Sequence, residues 1–105
     1  MKDEQARARV FEVVKQIPRG KVASYKAVAQ LVGIHPRQVG RVLHSNTNQE
    51  MYPCHRVVHS DGTTASGYAF GGPGIQQERL EKEGVEFKHN SVSLDKFFFS
   101  IFDKK

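Results

Sequence analysis

The chain has 105 residues, of which 38% are hydrophobic and 26% are charged, and these values are typical of one soluble globular domain. Its single cysteine excludes an internal disulfide, and no apolar run approaches the roughly 18 residues of a membrane span. The charged N-terminus lacks the apolar segment of a secretory signal, so we expect a cytoplasmic or nuclear protein. The net charge of +5 suits a polyanionic partner such as nucleic acid, although many small basic proteins bind none.

The first predicted element is a helix over residues 3–17. Its apolar residues recur at the spacing of one helix face: Val10, Phe11, Val14 and Ile17. Pro18 and Gly20 should end the helix, since proline lacks an amide hydrogen and glycine favours a turn. No internal repeat or low-complexity segment follows, so we expect one domain over residues 1–105.

Residues of about 24–45 have the pattern of a helix-turn-helix. Ser24 is a suitable N-cap for the first helix, and Gly33 suits the left-handed position after it. Pro36 can open the second helix. The outer face of the second helix is basic and comprises Arg37, Gln38, Gly40, Arg41 and His44. Glycine-linked helix pairs often have no role in DNA binding, so this pattern alone leaves the function open.

The stretch "MYPCHRVVHSDG" contains the only cysteine, Cys54, followed directly by His55. Three roles stay open for it: a nucleophile, a metal ligand or a buried structural residue. The histidine spacing matches no common zinc site, so we expect neither a metal nor another cofactor. A nucleophile requires a lowered thiol pKa, which His55 as a base and Arg56 as a cation can supply. A carboxylate could orient the imidazole, and Glu83 is one candidate among those of the last helix.

The second half of the chain predicts a short hairpin and one more helix. Residues 57–58 indicate a strand, "SDG" at residues 60–62 indicates a turn, and residues 63–64 a return strand. A last helix is predicted over residues 73–83, with Gly84 as its C-terminal stop. The phenylalanine-rich tail fits helix or strand equally. We therefore expect an α+β domain that is mostly helical, with a hairpin near the cysteine.

Five motifs occur in one order: "IPRGKVASYKAVAQLVG", "RQVGRVLHSN", "PCHRVVHSDG", "SGYAFGG" and "LEKEGV". Together they resemble the C-terminal domain of O6-alkylguanine-DNA alkyltransferases over residues of about 10–85, and "PCHRV" with an asparagine eight residues before its cysteine is a specific signature. The resemblance implies a winged-helix-like helix-turn-helix and a monomer that binds the minor groove of double-stranded DNA, with no membrane contact. It also implies single-turnover transfer of an alkyl (methyl) group from O6-alkylguanine to a cysteine, after the base is flipped out.

The resemblance assigns catalytic roles to five residues. Cys54 would accept the alkyl group, and His55 would be its base, acting through a bound water. Glu83 would orient the imidazole, and Asn46 would support the site from the helix-turn-helix. Tyr25 would help to rotate the nucleotide and would protonate the leaving guanine.

The resemblance also implies two contact surfaces. Arg37 would fill the space left by the flipped base, and the DNA-binding surface around it would comprise Tyr25, Gln38, Gly40 and Arg41. The active-site segment at residues 53–57 and the glycine-rich loop would form the substrate pocket. Its residues would be Pro53, Val57, Tyr68, Phe70 and Gly71.

Departures from the family pattern leave a second function open. The family usually carries a separate N-terminal domain, and we expect none here. Arg41 stands where some members have a small residue, Thr47 where many have proline, and Gln76 where lysine is frequent. One related group, the alkyltransferase-like proteins, has tryptophan in place of the acceptor cysteine and binds alkylated DNA without repairing it. Cys54 favours the transferase, and the alternative is a lesion-binding protein.

Overall fold

The computed structural model describes residues 3–64 and 74–99. These residues form five helices, one short 3-10 helix and four two-residue strands. The helices are α1 (Asp3–Lys15), α2 (Tyr25–Val32), α3 (Pro36–His44), α4 (Ile75–Lys82) and α5 (Leu94–Phe97), with the 3-10 helix at Cys54–Arg56. The strands are β1 (Ala23–Ser24), β2 (Val57–Val58), β3 (Phe87–Lys88) and β4 (Ser91–Val92). The predicted α+β class is confirmed.

The helix-turn-helix forms with the predicted end signals. The Ser24 hydroxyl accepts a hydrogen bond from the amide of Ala27 at 3.0 Å and so caps α2. Gly33 follows α2 with a φ of 88°, a left-handed conformation that a residue with a Cβ rarely adopts. Pro36 occupies the first turn of α3, as predicted. These three signals mark where α2 begins and ends and where α3 begins.

The main core lies between α1, α2, α3 and the segment that carries the cysteine. Its fully buried side chains include Val10, Val14, Ile17, Val28, Val39 and Val57. Burial of one such aliphatic side chain stabilises the fold by roughly 1.5–3 kcal/mol. α1 ends at Lys15, two residues before its predicted end, but Ile17 remains fully buried and its amide donates to the carbonyl of Val14. The segment before Pro18 therefore still contributes to the core.

The structure corrects the hairpin predicted beside the cysteine. β2 pairs in parallel with β1, Val57 opposite Ala23, and residues 63–64 form no strand with β2. The predicted turn is present, because the amide of Gly62 donates to the carbonyl of His59 at 2.8 Å. Thr63 then forms a bridge with Ser91 instead. Both residues of β2 are fully buried, and strands buried on both faces are typical of parallel pairing inside a domain.

The tail, which the sequence left ambiguous, forms a hairpin and a short helix over a second core. β3 and β4 pair antiparallel, and α5 follows. The side chains buried in this second core are Val22, Val58, Leu80, Val85, Val92 and Phe97. Backbone hydrogen bonds from Val22 to Phe97 and from Phe99 to Val22 attach the tail to the segment before β1. No helix in the described part of the chain is long and apolar enough to cross a membrane.

α4 holds the last functional side chains in place. It spans Ile75–Lys82, within the predicted 73–83, and Pro73 lies outside the described residues. Gly84 ends it with a φ of 92°, the left-handed conformation predicted for that position. Leu80 is fully buried and packs α4 onto the second core. α4 contacts the 3-10 helix at Cys54–Arg56 and so faces the cysteine segment.

Candidate active site

Cys54 lies at the start of the 3-10 helix, between the loop after α3 and β2. It is a free thiol with only 4% of its surface exposed. Pro53 before it restricts the backbone, and the amide of Cys54 donates to the carbonyl of Tyr52 at 2.7 Å. The described residues contain no cluster of three His, Cys, Asp or Glu side chains that could hold a metal ion. A buried thiol in a fixed turn is the structural centre of the site.

His55 is held at one ring nitrogen by Glu83. Nε2 of His55 lies 2.8 Å from Oε2 of Glu83, and each side chain is 7% exposed. Because a carboxylate accepts hydrogen bonds, Nε2 carries the proton and Nδ1 is the basic nitrogen. Nδ1 is buried and makes no hydrogen bond within the described part of the chain. Burial lowers the pKa of His55 and outweighs the opposing hydrogen bond and charge of Glu83, so the imidazole is neutral near pH 7.

Arg56 holds Glu83 through two hydrogen bonds. Its Nε donates to Oε1 at 3.0 Å and its Nη2 to Oε2 at 2.7 Å, while Nη1 donates to the carbonyl of Ile17 at 2.8 Å. Burial alone would raise the pKa of Glu83, but the hydrogen bonds and charges of Arg56 and His55 lower it to about 2. Glu83 is therefore ionised. The sequence suggested Arg56 as a cation for the thiol, and the structure places it on the carboxylate instead.

Asn46 joins the helix-turn-helix to the cysteine segment. It follows α3 and is 6% exposed. Its Nδ2 donates to the carbonyl of Tyr52 at 2.8 Å, and its Oδ1 accepts from the amide of Asn48 at 2.9 Å. Burial raises the pKa of the Cys54 thiol, and a hydrogen bond from Asn46 opposes that rise without cancelling it. The lowered thiol pKa expected of a nucleophile is therefore not found, and the resting thiol is protonated.

Tyr25 begins α2 and lies beside the thiol. Burial, and then the nearby Cys54, raise the pKa of its hydroxyl to about 12. The centroid of its ring lies 5.2 Å from that of the exposed His59. The structure thus brings together five of the predicted site residues: Tyr25, Asn46, Cys54, His55 and Glu83. The site thus contains a protonated hydroxyl close to a thiol, and a neutral imidazole on the residue that follows the thiol, which are groups that can donate or accept protons.

The predicted DNA-contact residues other than Tyr25, which begins α2, lie on α3, and most of them are exposed. Arg37 and Arg41 are exposed, whereas Gly40 is half-buried. Gln38 also has an internal role that the sequence analysis missed, because its Oε1 accepts from the amide of His35 at 2.9 Å. In return the Nδ1 of His35 accepts from the amide of Arg37 at 3.1 Å, which completes a capping box. The signal was available, since glutamine three residues after a cap residue is typical of this motif.

Two further features beside His55 were missed. A cavity of about 450 Å³ adjoins His55 and Glu83, and Arg79 lines it. The charge of Arg79 lowers the pKa of both Cys54 and His55. Gln76, which the sequence marked only as a departure from the family, is buried against the cysteine segment. No local sequence signal predicts either contact, since both depend on how α4 packs.

The predicted pocket residues divide into two groups. Pro53 and Val57 are buried on either side of the 3-10 helix, next to the thiol. Tyr68, Phe70 and Gly71 lie outside the described residues. The described part of the pocket therefore consists of the cysteine segment and the start of α2.

A buried thiol and a histidine–glutamate pair beside a helix-turn-helix define a small domain of the alkylguanine DNA-repair class. The family model for the DNA binding domain of 6-O-methylguanine DNA methyltransferase matches residues 5–85, and the chain belongs to this family. It is 35% identical to alkyltransferase-like protein 1 of Schizosaccharomyces pombe over 94 residues, which are 88% of this chain and 87% of that protein. It is 42% identical to the methylated-DNA–protein-cysteine methyltransferase of Methanothermobacter thermautotrophicus over 80 residues, 76% of this chain and 44% of that protein.

Solved structures give the same two kinds of relative. The fold is similar to that of Schizosaccharomyces pombe Atl1 in complex with damaged DNA containing O6-carboxymethylguanine, with a TM-score of 0.84, 31% identity and coverage of 94% of this chain and 98% of that one. It is also similar to O6-methylguanine-DNA methyltransferase of Pyrococcus kodakaraensis, with a TM-score of 0.66 and 35% identity. That match covers 75% of this chain and 46% of the other. The chain thus spans about half the length of the methyltransferases it matches.

Proposed function

We propose that this protein repairs O6-alkylguanine in double-stranded DNA by transferring the alkyl group once to Cys54. The observation that carries the proposal is the neutral His55, which follows the buried thiol of Cys54 directly in the chain and is held at Nε2 by the ionised Glu83, with its basic Nδ1 buried and without a hydrogen bond to any described residue. An inert structural cysteine needs no such base. The archaeal relative named as a methylated-DNA–protein-cysteine methyltransferase supports the same chemistry.

The transfer begins with proton removal from the thiol. Nδ1 of His55 takes the proton of Cys54 through one water, and the resulting imidazolium is stabilised by the negative charge of Glu83. The sulfur then attacks the alkyl carbon, so that an S–C bond forms while the bond from that carbon to O6 breaks. This order of events accounts for a thiol that is protonated at rest, since the thiolate is generated only for the reaction.

The leaving guanine takes the displaced electron pair and requires a proton. We assign that proton to the hydroxyl of Tyr25, whose raised pKa of about 12 keeps it protonated at neutral pH. The imidazolium of His55 then returns its proton to the phenolate, so that Tyr25 and His55 recover their starting states and the net change is one proton lost by the thiol and one gained by guanine. The product is a thioether on Cys54, which is chemically stable, and the protein therefore acts once.

α3 is proposed to present the DNA-binding surface. Extrusion of a base costs a few kcal/mol, and the exposed guanidinium of Arg37 at the start of α3 can fill the space that the base leaves. Arg41 adds a phosphate contact, and Gly40 keeps this face of the helix slim for the narrow minor groove. Gln38 contributes its amide group, while Tyr68, Phe70 and Gly71 complete the pocket for the base.

A lesion-binding protein without transfer is the second candidate. The observation that favours it is the similarity in sequence and fold to alkyltransferase-like protein 1, which extends over 87% of that protein and gives a TM-score of 0.84 for the Atl1 complex. Both candidates share the DNA-binding surface and the pocket. They differ in the fate of Cys54, which the related group replaces with tryptophan.

Intact-mass spectrometry separates the two candidates. The protein is incubated with a duplex that contains one O6-methylguanine, and a gain of one methyl group per molecule is expected. Cys54→Ser should show no gain while it still binds the duplex, since the substitution removes only the acceptor atom. Tight binding of the damaged duplex by the wild-type protein with an unchanged mass would establish the second candidate and reject transfer.

A further inference from the structure

α4 contacts His55 at two points, and Glu83 provides only one of them. The other is Gln76, whose side chain is buried with 2% of the residue exposed. Its Nε2 donates to the carbonyl of His55 at 3.0 Å and to the carbonyl of Val57 at 2.9 Å. A single amide group thus uses both of its hydrogens on the backbone of the active-site segment.

The spacing of Gln76 and Glu83 explains how one helical segment contacts both the backbone and the ring of His55. Glu83 directly follows the last residue of α4 and lies seven residues after Gln76, about two helical turns, so the two side chains lie on the same side of the helix. Between them the fully buried Leu80 anchors α4 to the second core. The backbone of His55 is therefore fixed near the start of the helix, and its ring is fixed at the end.

The two contacts constrain different degrees of freedom. Glu83 holds Nε2 but leaves the backbone of His55 able to shift, whereas the two carbonyl contacts of Gln76 fix the peptide groups that follow His55 and Val57. A displaced backbone would carry the whole ring with it, and misplacement of a reacting group by about 1 Å can cost about a hundredfold in rate. The two contacts together fix both the backbone and the ring of His55, and so fix the place of Nδ1.

We propose that Gln76 is a positioning residue for the transfer reaction, which fixes the backbone of His55 so that Glu83 can select the tautomer with a basic Nδ1. The effect on transfer depends on the function proposed above, whereas the effect on the imidazole does not. Because the amide is neutral, it fixes the backbone without adding a charge beside His55.

The test compares three variants of Gln76 with one matched control. Gln76→Met has a similar length and no donor, Gln76→Asn keeps the amide but is one methylene too short, and Gln76→Lys keeps a donor. Gln77→Met is the control, since it makes the same change one residue later, where the amide lies 3.5 Å from Glu81 and away from the cysteine segment. For each variant the single-turnover transfer rate, the duplex affinity and the melting temperature are measured.

The tautomer of the His55 imidazole shows directly whether Gln76 positions this residue. In 15N-labelled protein, the two ring nitrogens of His55 should show the tautomer protonated at Nε2, and Gln76→Met should mix the two tautomers. We expect Gln76→Met to slow transfer by about tenfold or more with unchanged duplex affinity, and Gln76→Asn to follow it. Gln76→Lys should restore the tautomer, but its rate should stay below that of the wild type because it adds a charge beside His55. Gln77→Met should match the wild type in every measurement.

The outcomes separate this inference from the proposed function. If the wild-type protein transfers no alkyl group, the proposed function fails, and the tautomer measurement alone decides the role of Gln76. If Gln76→Met does not fold, Gln76→Asn provides the same comparison. Variants of Gln76 that keep both the wild-type tautomer and the wild-type rate per folded molecule would overturn the inference, even if they melt at a lower temperature.

Discussion

The two functional regions of this protein use charged side chains in opposite ways. Beside the thiol, Glu83 and Arg56 are mostly buried, and their charges are paired through hydrogen bonds of 2.7–3.0 Å. On α3, Arg37 and Arg41 are exposed to solvent. A buried pair fixes the geometry of its neighbours, whereas exposed cations keep their capacity to bind a partner. The difference agrees with the roles proposed for the two regions, transfer at the thiol and DNA contact at α3.

The largest effect is expected from breaking the buried pair. Arg56→Met leaves the carboxylate of Glu83 buried without its cation and should lower the free energy of unfolding by roughly 3 kcal/mol, measured by urea denaturation. Lys96→Met is the matched control, because it breaks the exposed pair with Glu86, whose side chains are 60% and 71% exposed. That change should cost less than about 1 kcal/mol. Equal losses in the two variants would remove the distinction between buried and exposed charges.

The same buried pair predicts how stability depends on pH. The pKa of Glu83 is depressed to about 2 from the 4.5 of an ordinary glutamate. Its contribution to stability is therefore fully present above pH 4.5 and is lost as the pH falls toward 2. Urea midpoints measured across this range should decline more steeply in the wild type than in Glu83→Gln. Parallel curves would show that Glu83 is not held ionised by its partners.

On the DNA-binding surface of α3, the role proposed for Arg37, which is to fill the space left by the flipped base, can be separated from catalysis. Arg37→Ala should slow transfer from duplex DNA by roughly tenfold, or about 1.4 kcal/mol, because the guanidinium no longer fills the space that the flipped base leaves. Transfer from the free base O6-benzylguanine should not change. Lys88→Ala, which removes an exposed charge from β3, serves as the control. Equal losses on both substrates would place Arg37 in the reaction rather than in the groove.

The smallest effect on the protein itself is expected at Gly40. A Cβ built there would meet the ring of Tyr25 at 3.9 Å, an ordinary contact, so Gly40→Ala fits the fold. Alanine is the better helix former, and stability should rise by roughly 0.5–1 kcal/mol. Affinity for duplex DNA should nevertheless fall, as measured by fluorescence anisotropy. A rise in both quantities would show that α3 does not approach the DNA at this residue.

Local sequence signals predicted the helical part of the fold well. Ser24, Gly33, Pro36 and Gly84 mark helix ends in the structure as they do in the sequence, because capping depends on residues close to one another in the chain. The prediction of a hairpin beside the cysteine was wrong because the pairing of strands depends on residues far apart in the chain. A two-residue apolar strand carries no information about its partner, and burial on both faces selected β1.

For the candidate site, the sequence by itself determined which groups are available: one thiol, a histidine beside it and a basic helix. The motifs also identified Tyr25, Asn46 and Glu83 as candidate site residues. Only the tertiary structure decided that Glu83 holds Nε2, that Arg56 neutralises the carboxylate, and that Gln76 fixes the backbone. The physical reason is that these contacts join residues about twenty or more positions apart, and their charges and pKa values follow from burial, which no local pattern encodes.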